Sequence, residues 1–503
     1  MKKIYTIATL ASALLLSSGC VELDVSPSSS IDKDNFYQTE ADALAAVNGV
    51  YAILTNAQTE LFGLYSNSSI YLGDVITEYA KAGANTNSMF IREVSTADVQ
   101  PSNTFMEGSW AESYIGINRA NLVINHLFDS DLSGNTKERL INEAKFLRAL
   151  FYFNIVRWWG DAPLILREGE GEGAPREKRD LLYAQIAKDF EDAAALPDDA
   201  SGRATGTAAL AILSKVYLTW AQTDSERSKV EQAAFYKKSV EYADRVISSG
   251  KYSLVENVLD NFDVTKKNGI EHIFSIQHGE KDNVTGHCTF AMGWSDSEPV
   301  IMLNDLKFYD LFDDADQRKA GSYAKTLYNP AEDNFFTFKT PLFRKYIDTV
   351  NFAGDQYAGR NTNTVYIRYA EVLLIKAESE NELNGATAQA YDAINQVRRR
   401  AYKQFPLTTT SPYDLPGGLS KDQFREKLQE ERFLEFVLEG HHWFDLVRWH
   451  KLVKTVKPYK PAVSLRNYLF PLPADQIRLN PNLTQNWGYD SEEGTNPYNG
   501  YEQ

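Results

Sequence analysis

Cysteine is almost absent: the 503 residues contain two, Cys20 and Cys288. At most one intrachain disulfide could form, and none if Cys20 is modified, so stability must come from a packed core. Histidine is also scarce, with seven residues. There is no H-E-x-x-H run, no cysteine pair at zinc spacing, no G-x-S-x-G elbow and no phosphate loop. These gaps remove the motif-borne case for metal, serine-nucleophile and nucleotide chemistry, and neither a cofactor nor a metal is expected. No apolar run approaches the roughly 20 residues needed to span a bilayer. Basic charge is in deficit, with 52 Lys and Arg against 68 Asp and Glu and a net charge of −16. A nucleic-acid partner needs a basic footprint. The balance favours a neutral or cationic ligand, or serves only to keep the chain soluble.

What is present begins at the N-terminus. Lys2 and Lys3 precede a short apolar run, Ile4 to Leu16, and Ser17-Ser18-Gly19 then supplies small residues before Cys20. This is the layout of a secretory signal peptide over residues 1–19. Cys20 after Gly19 resembles a lipobox, the site at which bacterial lipoproteins are acylated, although Ser17 stands where an aliphatic residue is usual. Residues 20–34, with their Ser26-Pro27-Ser28-Ser29-Ser30 run, read as a flexible tether. Glu22 and Asp24 behind the cysteine resemble the surface-export signals of Bacteroidetes lipoproteins. The expected product is a chain tethered by lipid to the outer membrane, facing the exterior.

Residues 35–503 read as a single, mostly α domain. Apolar residues recur at three- and four-residue steps in Glu40–Thr55, Trp110–Phe128, Lys137–Trp159 and Asp180–Leu196. Ser133 or Asn135 could start the third helix, and Gly160-Asp161-Ala162-Pro163 stops it. Thr207–Ala221 with Glu231–Ser249, and Tyr366–Leu383 with Thr387–Ala401, form pairs near the tetratricopeptide period, though that consensus is only partly met. Ser420-Lys421-Asp422-Gln423 has the form of a capping box, opening a helix that the apolar spacing extends to Trp443. Between 251 and 364 the helical period fades while Gly, Asn and aromatics rise, and His272–Gln277 alternates like a strand. A loop-rich insertion of this length in an ordered domain suits a functional surface.

Four segments, with the lipobox, resemble the SusD/RagB family of starch-binding-like lipoproteins. They are Glu143–Leu150 running into Arg157–Leu164, Arg203–Leu218, Ile367–Leu374 with Ile394–Arg398, and Glu430–Arg432 leading to Glu439–Trp449. Leu469-Phe470-Pro471-Leu472-Pro473 and Asn480–Asn486 follow. One departure is His442, where the family usually has Arg before Trp-Phe-Asp. The resemblance implies tetratricopeptide-like helix pairs and a loop-rich face that binds glycan. It also implies a partner, a SusC-like TonB-dependent outer-membrane transporter that receives the oligosaccharide.

Aromatic residues make up 12% of the chain, enough to supply both core and binding surface. Trp158, Trp159, Trp443 and Trp449 fall on patterned helices and read as core. Trp294, with Asp296 beside it, lies in the insertion and pairs a flat apolar face with a polar group, as sugar binding requires. Tyr79, Asn87 and Phe90 offer the same chemistry in the early loop. For each of these aromatics, packing back onto the core is the alternative. Glu430, Glu431, Arg432, Glu435 and Glu439 crowd one helix. Paired carboxylates can hydrolyse glycosides, but acids and bases three or four residues apart also make structural ion pairs, and the resemblance favours the latter. His441 and His442 point to different faces and cannot chelate together. Asp310, Asp313, Asp314 and Asp316 lack the glycine of a calcium loop. The expected protein is thus a non-enzymatic glycan-binding lipoprotein. A surface glycoside hydrolase, and a transporter lid with little glycan affinity of its own, are the competing readings.

Overall fold

The computed structural model describes residues 37–55, 63–84, 86–132, 134–199, 202–224, 227–279, 300–329, 333–347, 362–490, 496–498 and 500–501. Cys20, Cys288, Trp294 and Asp296 lie outside the described residues.

The fold is mostly α. Helix α1 spans Glu40–Leu54 and is opened by a reciprocal capping box between Thr39 and Asp42. Two π-helical turns, Leu64–Ser68 and Tyr71–Val75, lead to strand β1, Ala80–Ala82. Helices α2 (Met89–Thr96), α3 (Thr104–Asp129), α4 (Asn135–Trp159), α5 (Arg179–Ala193), α6 (Gly206–Gln222) and α7 (Lys229–Ser248) follow. From α3 to α7 each helix packs on the next, and α7 packs on α10, Tyr369–Asn384, which in turn packs on α11, Ala388–Ala401. The helical stack therefore resumes across the central insertion. Helix α4 starts at Asn135, as expected, with Gly134 at its cap position; Ser133 lies outside the described residues. Gly160 ends α4 at φ 73, a conformation glycine adopts without steric cost.

The described part of the insertion holds strands as well as loops. β2 (His272–Ile276) pairs antiparallel with β6 (Thr364–Arg368), and β3 (Ile301–Leu303) pairs antiparallel with β1. Short helices α8 (Lys307–Asp310) and α9 (Gln317–Ser322) precede a hairpin of β4 (Tyr323–Asn329) and β5 (Asn334–Phe343). The helix expected from Tyr366 starts instead at Tyr369. Thr364–Arg368 is a fully buried run, rich in β-branched residues that suit a pleated strand, and β2 supplies its hydrogen bonds.

The capping box at Ser420 and Gln423 is formed and opens α12, Lys421–Phe436. That helix does not reach Trp443. The chain turns through Leu438 (φ 58) and Gly440 (φ 77), and α13, His442–Arg448, begins afresh. Long-range bonds compensate the break: the Leu438 amide donates to Tyr79 Oη at 3.0 Å and the Gly440 amide to Asp74 Oδ2 at 2.6 Å. Short elements α14 (Leu452–Val456) and α15 (Ala474–Leu479) complete the order. One large apolar cluster joins α1 to the C-terminal residues, with Trp158, Trp159 and Trp443 wholly inside and Trp449 at its margin. No helix among the described residues is long and apolar enough to cross a membrane.

Candidate functional site

The acidic helix α12 resolves into a buried ionic layer. Arg368, at the end of β6, donates from Nη1 to Glu271 at 2.7 Å and to Glu435 at 2.5 Å, and from Nε and Nη2 to Glu439 at 2.9 and 2.8 Å. Arg400 on α11 bonds the same Glu435 and Glu271. Arg318 on α9 binds Asp316, Glu431 and Glu435, and Lys345 reaches Glu439 at 2.7 Å. Burial alone would raise the Glu435 and Glu439 carboxyls. The surrounding cations overcome it and hold both below the ordinary glutamate value. A neighbouring layer joins Arg432, Asp445, Arg448 and Glu378. There Lys215 meets Glu371 at 3.0 Å. Burial opposes the charge on Glu371, but its basic neighbours, His441 first and then Lys215 and Arg432, hold its carboxyl below the ordinary glutamate value. These carboxylates are saturated with cations and sealed from solvent, so no glycosidic oxygen can approach them. Glu430, the exposed member of the set, pairs with Lys427 at 2.9 Å.

His441 and His442 diverge. Burial pushes the His441 imidazole down to about 3, so it is neutral beside Lys215 and Glu371. His442 Nε2 meets Glu78 Oε1 at 2.7 Å. Burial opposes its charge, but Glu78 prevails and raises its pKa above the ordinary value. Next to this pair, burial lifts Asp74 to about 7 despite the Gly440 amide. Lys460 clamps the carbonyls of Val75 and Ala80, and burial brings it down to about 7. The segment before β1 is therefore pinned by polar groups from the C-terminal third of the chain.

Beyond that anchor the chain reaches the surface. Pairing of Ala80 with Leu303 and of Ala82 with Ile301 brings the early loop against the middle of the insertion. The Gly83 amide donates to the Val300 carbonyl at 2.9 Å, and Asn304 donates from its amide to Tyr79 O and from its side chain to Glu78 O. Asn87 is exposed here, with Met89 60% exposed and Phe90 half-buried against the core. Tyr79 corrects the expectation of a surface platform. It is completely buried, edge-on to Phe343, Phe433 and Phe308, and its hydroxyl accepts from Leu438. Its aromatic area belongs to the core. The acidic cluster is likewise dispersed: Asp316 caps α9 and pairs with Arg318, Asp314 pairs with Lys319, and Asp313 accepts from Ala315. Among the described residues no group of His, Cys, Asp and Glu is arranged to hold a metal ion.

Sequence reasoning did not identify Arg318, Lys345, Arg368 and Arg400 as the partners of the α12 carboxylates. A signal was available in Arg368, a cation closing an otherwise apolar strand run, since a buried charge requires a counter-charge.

Two family models cover most of the chain. The SusD family model matches residues 222–464, and a SusD-like model described as starch-binding associating with outer membrane matches residues 23–218. The chain belongs to the SusD/RagB family. A SusD-like protein of Formosa agariphila is 28% identical over 94% of this chain and 97% of its own length. A SusD superfamily protein from Parabacteroides distasonis superposes with a TM-score of 0.76 at 24% identity, over 90% of this chain and 99% of that one. A laminarin-binding SusD-like protein superposes with a TM-score of 0.73 at 22% identity, over 90% of this chain and 100% of that one. At these identities the superpositions establish the fold.

Proposed function

We propose that this protein is a lipid-anchored, cell-surface glycan-binding protein that delivers oligosaccharide to a SusC-like TonB-dependent outer-membrane transporter, without catalysing hydrolysis. The observation that carries this reading is the β1–β3 ladder. It joins the early loop, which carries Asn87 and Phe90, to residues 300–304 of the insertion, and Trp294 and Asp296 precede those residues in the sequence. Two chain regions more than 200 residues apart are thereby joined, with Asn87 and Phe90 on one side and Asn304 on the other. Family membership supports the same assignment, since one of its matching models is described as starch-binding and associated with the outer membrane. Saturation of the α12 carboxylates by buried cations weighs against the hydrolase alternative.

Incubating the protein with a glycan array, followed by calorimetry on the strongest hit, tests the binding claim. Micromolar affinity without new reducing ends is the expected result. Release of reducing ends would move the protein to the hydrolases. Trp294→Ala should weaken that affinity by about 1–3 kcal/mol, the scale of losing an aromatic anchor. Wild-type affinity in that variant would exclude Trp294 from the platform. Gentle detergent extraction from cells grown on the inducing glycan should recover a barrel protein together with this one. Recovery of this protein alone would argue against the transporter partnership, and co-recovery without glycan affinity would favour the lid reading.

A further inference from the structure

The β4–β5 hairpin displays an aromatic pair that the core does not use. Its register places Thr326 opposite Thr337 and Tyr328 opposite Phe335. Alternate residues of a strand share a face, so these four side chains lie together, and all four are exposed. Tyr328 is 45% exposed and Phe335 66%. Leu327, between Thr326 and Tyr328, points the other way into a small buried cluster with Ala324, Leu342 and Ile347. The inner face is thereby fixed, and the outer face is free to carry any polar residue. It carries two aromatic rings instead, with centroids 5.2 Å apart and planes at 53°. The Tyr328 hydroxyl donates to Asp333 Oδ1 at 2.7 Å, which holds that ring in place.

We propose that Thr326, Tyr328, Phe335 and Thr337 form a carbohydrate-stacking face for neutral pyranose rings. This rests on the glycan-binding reading above and extends that surface onto the hairpin. The chemistry fits the occupant. The C–H face of a pyranose packs on an aromatic plane, and its hydroxyls need donors and acceptors at the rim, which the two threonines supply. None of the four side chains is charged, so no counter-ion on the ligand is called for. Along the strand, aromatic and threonine lie about 7 Å apart, enough for one to two sugar units. The base of the hairpin is also rooted beside the β1–β3 ladder. Its base residue Phe343 packs edge-on to Tyr79 with ring centroids 5.9 Å apart, Tyr79 immediately precedes β1, and β5 packs against β3.

The test is affinity electrophoresis of the full-length protein through gels containing neutral polysaccharides, soluble starch and laminarin among them. Melting temperature is measured on the same preparations. For a polysaccharide that retards the wild type, the Tyr328→Ala/Phe335→Ala double variant should lose about tenfold or more in affinity with an unchanged melting temperature. Phe335→Tyr, which keeps a ring at that position, should retain most of the binding. Retardation equal to wild type in the double variant overturns the proposal. So does a clear fall in its melting temperature, which would make the rings structural. Loss of barrel co-purification with glycan affinity intact also overturns it, and assigns the face to a protein contact. Failure of every polysaccharide in the panel to retard the wild type would overturn the glycan-binding reading itself, and this proposal with it.

Discussion

Replacing Arg368 by methionine should be among the most damaging single changes outside the apolar core. Methionine keeps much of the side-chain length and can still pack on Phe436, over whose ring the guanidinium now sits at 4.7 Å. What is lost is the cation that bridges Glu271, Glu435 and Glu439. Removing one partner from a buried ionic group costs about 3–5 kcal/mol, because the remaining charge is left desolvated. Glu435 retains Arg400 and Arg318, whereas among the described residues Glu439 keeps only the ion pair with Lys345. For a domain of this size the unfolding entropy is about 1 kcal/mol per kelvin, so the melting temperature should fall by about 3–5 °C if unfolding is cooperative. The pH dependence carries a sign. In the wild type Glu435 and Glu439 are held below their ordinary values. Their contribution is therefore present above the unfolded carboxylate pKa of about 4.3 and is lost as the pH falls through the folded values. In the variant the under-compensated Glu439 should take up a proton more readily, so the deficit should be smaller near pH 5 than near pH 7.5. Adding Glu439→Gln should restore part of the loss, giving a favourable coupling in a double-mutant cycle. Scanning calorimetry of the four proteins at both pH values decides the matter. A variant that melts with the wild type, or a deficit that is additive and independent of pH, would refute the reasoning.

Other outcomes are expected. His442→Gln should remove a pH-dependent stabilisation: because Glu78 raises the His442 pKa, that term is fully present below about pH 6.5 and fades as the pH rises through the folded value. Melting curves of both proteins across this range should converge at high pH, and parallel curves would count against the ion pair. Gly73→Ala should destabilise by about 1–3 kcal/mol through overpacking, because a Cβ there would lie 2.5 Å from the Gly440 carbonyl oxygen; a denaturant midpoint equal to wild type would contradict that contact. Cys20→Ala should leave the protein without lipid, which metabolic labelling with a fatty-acid analogue reads directly, and undiminished label would exclude Cys20 as the acylated residue.

Much of the helical architecture was legible because its causes are local. The capping box at Ser420 and Gln423, the stop at Gly160 and the apolar period of α3 to α7 act within a few residues of where they are written. The alternation of His272–Gln277 marked a strand for the same reason. The family motifs were equally visible, since they are runs of contiguous residues. Features whose cause is distant were not legible. Gly440 is the one local hint of a stop near Val437, but the break itself is stabilised by Asp74 and Tyr79, more than 350 residues away in sequence. Tyr79 had the composition of a binding-loop aromatic, and only the convergence of Phe308, Phe343 and Phe433 makes it core. The α12 carboxylates could be read as a helix of local ion pairs. Tertiary packing instead brought Arg318, Lys345, Arg368 and Arg400 from four other segments to neutralise them. Sequence by itself settled that most of the long helices exist and which family the chain resembles, because both are encoded in short runs. Which aromatic is buried, which carboxylate is saturated and which loops meet at one surface depend on contacts between remote segments, and those exist only once the chain has folded.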